Sequence, residues 1–230
     1  KHPGFTAVVV VTLALGIGVN TALFTFFNVW LRPLPIQDAG SVVNLTCRAF
    51  PDYAYYRDHA EVFSGLIARS AEALALGGQT AADEMQSVMG EFVSDNYFAV
   101  LGASPALGRT FAPEENLTPG KAPVAVLSHR FWQDHFGASP DVIGQSLSFG
   151  GKAFTVIGVM ARDFIGFDFG NVPDLWLPLM MRNEIPPAFQ FRPKNADWFG
   201  TRDAMWLSVP GRLKPGRSLD EARAELAVLF

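Results

Sequence analysis

The chain has 230 residues, 49% of them hydrophobic and 17% charged, and its 22 acidic and 18 basic side chains leave a formal net charge of −4. That balance, with no long basic block, gives no nucleic-acid-binding surface to expect, and a single cysteine, Cys47, excludes an internal disulfide. The length accommodates one membrane span with one or two further domains.

From Pro3 to Leu31 there is no Asp, Glu, Lys or Arg, a run longer than the roughly 20 apolar residues needed to cross hydrocarbon. Residues 7 to 31 are therefore expected to form one membrane-spanning helix. A cleaved signal peptide is the competing reading, but its apolar region runs about 7 to 15 residues and ends at small residues, whereas this run ends at Trp30, Arg32 and Pro33. Trp30 suits the interface and Arg32 can reach headgroups. Ala7, Ala14, Gly18, Thr21, Thr25 and Asn28 are spaced 7, 4, 3, 4 and 3, so they share one helical face. A small and polar face inside lipid is a helix-packing surface, and Ala14, Gly18, Thr21, Thr25 and Asn28 are its candidate residues. Asn20 lies off that face. Lys1 precedes the run and Arg32 follows it, so charge sets the orientation only weakly.

Beyond Arg32, 198 residues carry 38 of the chain's 40 charged side chains, the composition of a water-soluble region. VVNLTC at 42–47 reads as a strand, and PDYAYYRDHAEVF, with Pro51 at its start, as a short helix. The stretches 66–76 and 84–93 flank Gly77 and Gly78 and read as paired strands. Ser94 is placed to cap a short helix stopped by Gly102. PVAVL is a buried strand, followed by a helix capped by Ser128 and ended by Gly137. QSLSF and KAFTVIGVM enclose Gly150 and Gly151 as a tight hairpin. DLWLPL is a further strand, residues 183–203 are a loop rich in Pro, Phe and Asn, and AMWLSVPGRL is a strand. The closing SLDEARAELAVLF is a helix whose Ser218 and Glu221 form a capping box. Strands and helices in mixed order, with two hairpins, predict an α+β fold and not a doubly wound parallel sheet.

Catalytic chemistry is not indicated. His129 and His135 are six residues apart, about 120 degrees around a helix, so they do not share an ion. His59 beside Asp58 is a neighbour pair on a helix surface. GIGVNT at 16–21 lacks the third glycine and the preceding strand of a dinucleotide fingerprint. Gly120-Lys121 and Gly151-Lys152 lack the rest of a P-loop, so ATP is not bound here by that device. No G-x-S-x-G elbow occurs, and Cys47 reads as an inert thiol. The sequons at Asn44 and Asn116 carry no weight. No enzyme activity, cofactor or metal is expected.

Several strings in register carry a resemblance: the opening KHPGFTAVVVVTLALGIGVNTALFTFFNVWLRPLP, then FPDYAYYRDHAEVFSGLIA, VSDNYFAVLGASPALGRTFAPEEN, PVAVLSHRFWQDHFGASPDVIGQSLSFGGKAFTVIGVM, PDLWLPL and RLKPGRSLDEARAEL. In this order they resemble the permease subunits of the MacB/FtsX-like ABC transporters, especially the duplicated orphan permease branch. The resemblance implies a first membrane helix with its exit over 1–35 and an extracytoplasmic core domain over 36–230, with a mixed α/β porter-like portion and a smaller β-rich lobe. It implies a bacterial inner-membrane protein with its N-terminus in the cytoplasm, a fragment of a longer permease with further helices. The partners implied are a cytoplasmic ABC ATPase subunit, a second permease copy, membrane lipid, and a periplasmic adaptor or substrate protein; nucleic acid is not among them. The activity implied is coupling of ATP hydrolysis to motion of the outer domain, for efflux or mechanotransmission. The alternative is a membrane-tethered binding module that uses Phe189, Phe191, Trp198 and Phe199 as its recognition surface.

Overall fold

The computed structural model describes residues 3–30, 36, 38–77, 86–168, 171–186 and 197–229. The chain divides into two compact units, Lys1–Leu34 and Pro35–Phe230.

The first unit is one helix, α1 (Pro3–Trp30), of 28 residues. Its described side chains are exposed, among them Val8, Leu13, Ile17 and Phe24. The uninterrupted stretch with described side chains, residues 10–25, is 16 residues long. Among the described residues no helix is long and apolar enough to cross a membrane, so they do not establish the span expected over 7–31.

The second unit carries two sheets. Its strands are β1 (Val42–Leu45), β2 (Phe63–Leu66), β3 (Arg69–Leu76), β4 (Gln86–Val93) and β5 (Pro105–Gly108), then β6 (Val124–Leu127), β7 (Ser146–Phe149), β8 (Lys152–Met160), β9 (Leu175–Pro178) and β10 (Val209–Leu213). Its helices are α2 (Phe50–His59), α3 (Tyr97–Leu101), α4 (His129–Phe136) and α5 (Leu219–Leu229). One sheet has three antiparallel strands in the order β1-β10-β2. The other has seven, in the order β5-β8-β6-β9-β4-β3-β7, and β7 pairs again with β8. That second pairing closes β8-β6-β9-β4-β3-β7 into a ring, with β5 held on the C-terminal half of β8. Closure leaves few free edges. Among the described strands only β4–β9 and β6–β8 run parallel, which agrees with a mixed α/β domain and excludes a doubly wound sheet.

Strand alternation sorts the ring's side chains onto two faces. Leu74, Val88, Phe92, Leu127, Phe149 and Phe154 join the larger apolar cluster. The other face sends Val93, Val126, Ile157, Met160 and Trp176 against Tyr97, Phe98 and Leu101 of α3.

Several local signals act where they were placed, and others do not; the strand expected over AMWLSVPGRL, for one, forms only at Val209–Leu213. Gly150 (φ 56) and Gly151 (φ 82) turn the β7–β8 hairpin in the left-handed region, where a side chain on either would be strained. Ser128 Oγ accepts the Phe131 N–H at 3.1 Å and α4 ends on left-handed Gly137. Ser218 and Glu221 make the reciprocal cap of α5: Glu221 Oε2 accepts the Ser218 N–H at 2.7 Å and Ser218 Oγ accepts the Glu221 N–H at 3.2 Å. Ser94, however, caps nothing. Its hydroxyl oxygen accepts the Ala68 N–H at 3.1 Å and its proton goes to Asn96 Oδ1 at 2.7 Å, and α3 starts only after Asn96. The helix expected over Pro51 onward also stops early, at His59, because Ala60 turns extended and Phe63 opens β2. Within 183–203 the start belongs to a 3-10 helix, Leu179–Glu184, and residues 187–196 lie outside the described residues.

Candidate functional site

The two sheets meet where β2 runs on into β3. Ile67 N–H donates to Pro210 O, and Arg69 and Ser208 exchange both backbone hydrogen bonds, all at 2.9 Å. Arg69 therefore stands at the seam, held by β10's neighbour on one side and by β4 on the other. Its guanidinium forms a buried ion pair with Glu91 of β4 and lies 5.2 Å from the Phe167 ring centroid. Glu91, fully buried, accepts two more hydrogen bonds on Oε2, from Tyr97 Oη at 3.0 Å and Trp176 Nε1 at 2.9 Å. Tyr97 Oη in turn accepts the Phe167 N–H at 3.1 Å. Each buried polar group thus has a partner, the condition under which such a network is tolerated. Burial and the adjacent Glu91 charge hold the Tyr97 hydroxyl well above its ordinary pKa. Burial works against the Arg69 charge, and its polar neighbours, Glu91 foremost, together more than offset it, so Arg69 stays protonated.

Three residues along β3, on the opposite face, Glu72 makes a second buried ion pair with Arg182 of the 3-10 helix. The Arg182 guanidinium lies in the corner made by two indoles set edge to face, 4.5 Å from the Trp198 centroid and 4.4 Å from that of Trp206. Trp206 Nε1 donates to Trp198 O at 2.9 Å, and the Phe199 ring packs edge-on against Phe50 and Trp206, at 5.1 Å and 5.6 Å. Trp198 and Phe199 are half-buried in contacts with their own chain. Phe189 and Phe191 lie outside the described residues.

A third arginine, Arg212 on β10, gathers the start of the unit. Its Nε donates to Val100 O of α3 at 2.6 Å, and its Nη1 to Ser41 Oγ at 2.8 Å and Asp38 O at 3.2 Å. A groove of about 570 Å³ opens beside it, lined by Asp38, Ser64, Asn96, Val100 and Arg212.

A groove of about 450 Å³ along β1 includes Cys47, Asp52, Tyr56 and Arg202. Burial first, and the nearby Asp52 charge second, push the Cys47 thiol up to about 11, so it is a poor nucleophile near neutrality. His135 stacks on Phe131 and contacts Gln86, His129 packs on Trp132, and His59 stacks on Tyr55. Among the described residues no group of three or more His, Cys, Asp or Glu is placed to hold a metal ion. Of the helix-packing residues, Ala14, Gly18, Thr21 and Thr25 are exposed on α1, and the Asn28 side chain lies outside the described residues.

The three arginines and two glutamates were missed by motif reading. The available signal was a charged residue at each end of RSAE inside a strand otherwise built from Ala and Leu, since charge in a buried strand needs a partner.

The sequence profile of the MacB-like periplasmic core domain matches residues 6–229. A probable syringafactin export ATP-binding/permease protein, SyfD of Pseudomonas syringae pv. tomato, is 36% identical over 86 residues, 37% of this chain and 13% of that protein. The chain thus matches only a small part of this curated relative's length. Among solved structures, the periplasmic region of MacB from Actinobacillus actinomycetemcomitans matches with a TM-score of 0.56 at 15% identity, over 79% of this chain and 72% of that one. The extracellular domain of the ABC-type transporter YknZ from Gram-positive bacteria matches at 0.54 and 15%, over 79% and 80%. A domain of a putative permease from Porphyromonas gingivalis matches at 0.53 and 13%, over 81% and 71%. At such identities these structures establish a shared fold.

Proposed function

The chain belongs to the family of MacB-like periplasmic core domains, and on that premise we propose that it supplies the first membrane helix and the outer domain of an ABC-transporter permease. In this reading a partner ATPase in the cytoplasm hydrolyses ATP, and the permease converts the cycle into movement of the outer domain, for efflux or mechanotransmission. The observation that carries it is the family match over 6–229, which takes in the outer domain and most of the apolar run before it. The export ATP-binding/permease protein among its relatives supports an ATPase partner.

The physical case for the membrane helix rests on the sequence and on α1. A helix of 28 residues at about 1.5 Å per residue is longer than the ~30 Å of hydrocarbon it has to cross. Valine, leucine and phenylalanine exposed along it find a favourable solvent in lipid. Ala14, Gly18, Thr21, Thr25 and Asn28 then form the face that packs against other helices of the permease or of a second copy. With the N-terminus inside, Pro35–Phe230 stands on the extracytoplasmic side.

The outer unit suits a part that is moved as a body. A closed ring and a buried network resist deformation, so a displacement applied at one point is carried through. No catalytic residue of the chain is invoked, because hydrolysis takes place on the partner. For the binding-module alternative, Trp198 and Phe199 are half-buried, packing on Arg182, Trp206 and Phe50, while Phe189 and Phe191 lie outside the described residues.

The test uses the full-length permease in intact cells, with Cys47 replaced by Ala and a single cysteine at exposed Leu117. A membrane-impermeant maleimide should label position 117 without lysis, and the solubilised protein should bring down an ABC ATPase. Labelling only after lysis, or isolation without any ATPase, would overturn the reading.

A further inference from the structure

We infer that Arg212 is the positioning residue that fixes the segment arriving from α1 onto the central strand of the three-stranded sheet, so that displacement of that segment passes into the outer domain. The inference rests on the coupling reading above and names the contact through which coupling enters.

After α1, the first short 3-10 turn of the outer unit is Ala39–Ser41, and none of its residues is buried. Apolar packing holds the segment at Ile36, three residues before Ala39, and not at the turn itself. Two hydrogen bonds close the turn on itself, from Ser41 N–H to Asp38 O at 3.0 Å and from Ser41 Oγ to the same oxygen at 2.8 Å. Asp38 is left-handed, with φ 46, a conformation that Asp tolerates better than most side-chain-bearing residues. Arg212 is what reaches the turn from outside, through Ser41 Oγ and Asp38 O.

The position of Arg212 gives that grip its consequence. It lies opposite Val42, the first residue of β1, and opposite Gly65 of β2, where the β10–β2 register shifts. The guanidinium is thus fixed to the middle strand of the sheet. Its Nε bonds Val100 O, and α3 is itself packed by buried Tyr97, Phe98 and Leu101 against the ring. Tyr97 continues to Glu91 and Arg69 at the seam. One planar cation therefore joins the turn, the sheet and α3. A lysine could not: a single ammonium at the end of a flexible stem lacks the fork that points donors along two directions. The chain of contacts is a physical route, and its coupling is a matter for measurement.

The test takes the full-length permease with its partner ATPase in lipid nanodiscs, as wild type, Arg212→Lys and Arg212→Met. Backbone amide exchange is read at Ser41 and in β3–β4, and the distance between spin labels at position 117 of two permease copies is read with and without ATP. Both variants should speed exchange at Ser41 about ten-fold or more, the factor carried by a charge-assisted hydrogen bond. Protection in β3–β4 should not change, which separates a local release from unfolding, and the ATP-dependent distance change should shrink. If either variant folds poorly, Ser41→Ala removes the hydroxyl that accepts from Arg212 Nη1, together with its own bond to Asp38 O, while leaving Arg212 in place, and should give the same two effects at smaller size. Unchanged exchange at Ser41 would overturn the inference, and so would a loosened turn with the full ATP response. A wild-type permease that does not move with ATP would overturn the coupling reading itself, which differs visibly from wild type and variants all moving alike.

Discussion

Arg69 and Glu91 meet diagonally across the β3–β4 pair: Arg69 stands opposite Val93 and Glu91 opposite Ala71, and both side chains are buried. An ion pair taken out of water adds little net stability, but removing one partner strands the other charge. Glu91→Ala should therefore cost about 3–5 kcal/mol, because Tyr97 and Trp176 lose their acceptor as well. Exchanging both residues for Met should cost less than Glu91→Ala alone, because no charge is stranded, although Tyr97 and Trp176 still lose their acceptor. Denaturant unfolding of the two variants checks this, and a double variant as unstable as the single one would refute it.

The contact of Arg182 with both Trp198 and Trp206 predicts a stability effect for either indole. Trp206→Ala should destabilise by about 2–3 kcal/mol, below the range for a fully buried aromatic because this indole is half-buried, and Trp198→Ala by ~2 kcal/mol, the scale of a desolvated cation–π contact. The same unfolding measurement reads both. A Trp198→Ala variant of unchanged stability would return that residue to the role of a free recognition surface.

Much of this fold is written in local signals. The Gly150-Gly151 turn, the Ser128 and Ser218 caps and the Gly102 and Gly137 stops depend on residues within five positions of each other, and each acts where its sequence places it, as does the pairing of β3 with β4. What local reading could not reach is non-local. Phe63–Leu66 carries Ser and Gly and becomes a strand because Gly211 and Arg212, far along the chain, lie beside it. Pro105–Gly108 is a strand because β8 offers its edge. Ser94 looks like a cap, yet Ala68, 26 residues earlier, claims its hydroxyl. The closed ring, and the arginines that tie its parts, likewise depend on partners set by tertiary packing.

At the start of α5 the reciprocal hydrogen bonds of Ser218 and Glu221 make a pH-dependent cap. The Ser218 N–H first, then Arg217 and the Ser218 hydroxyl, hold the Glu221 carboxyl below its ordinary 4.5. A depressed carboxylate contributes stability above its unfolded value and loses it as pH falls through the folded one. Helicity of α5 should therefore decline on acidification below about pH 4.5, and Glu221→Gln should flatten that decline in a circular dichroism titration. Ser218→Ala should cost about 1 kcal/mol.

Cys47 gives a test at the other end of the scale. Its thiol is raised from 9.0 to about 11, so alkylation by iodoacetamide should be slow at pH 8 and should accelerate as pH approaches 11. A raised thiol stabilises fully below the unfolded value and loses that contribution as pH rises through the folded one. The fold should thus weaken between pH 9 and 11, and Cys47→Ala should remove that part of the loss. Rapid labelling at pH 8 would contradict the burial of the thiol.

The central claim, that this outer domain moves when ATP is turned over across the membrane, is tested most directly by one distance. Spin labels at position 117 of the full-length permease, reconstituted in nanodiscs with its ATPase, report the separation of two outer domains in the absence of nucleotide and with ATP trapped. The account predicts a reproducible change in that separation, abolished when the ATPase cannot bind ATP. A separation that is the same in both states, in a complex that still hydrolyses ATP, would contradict it.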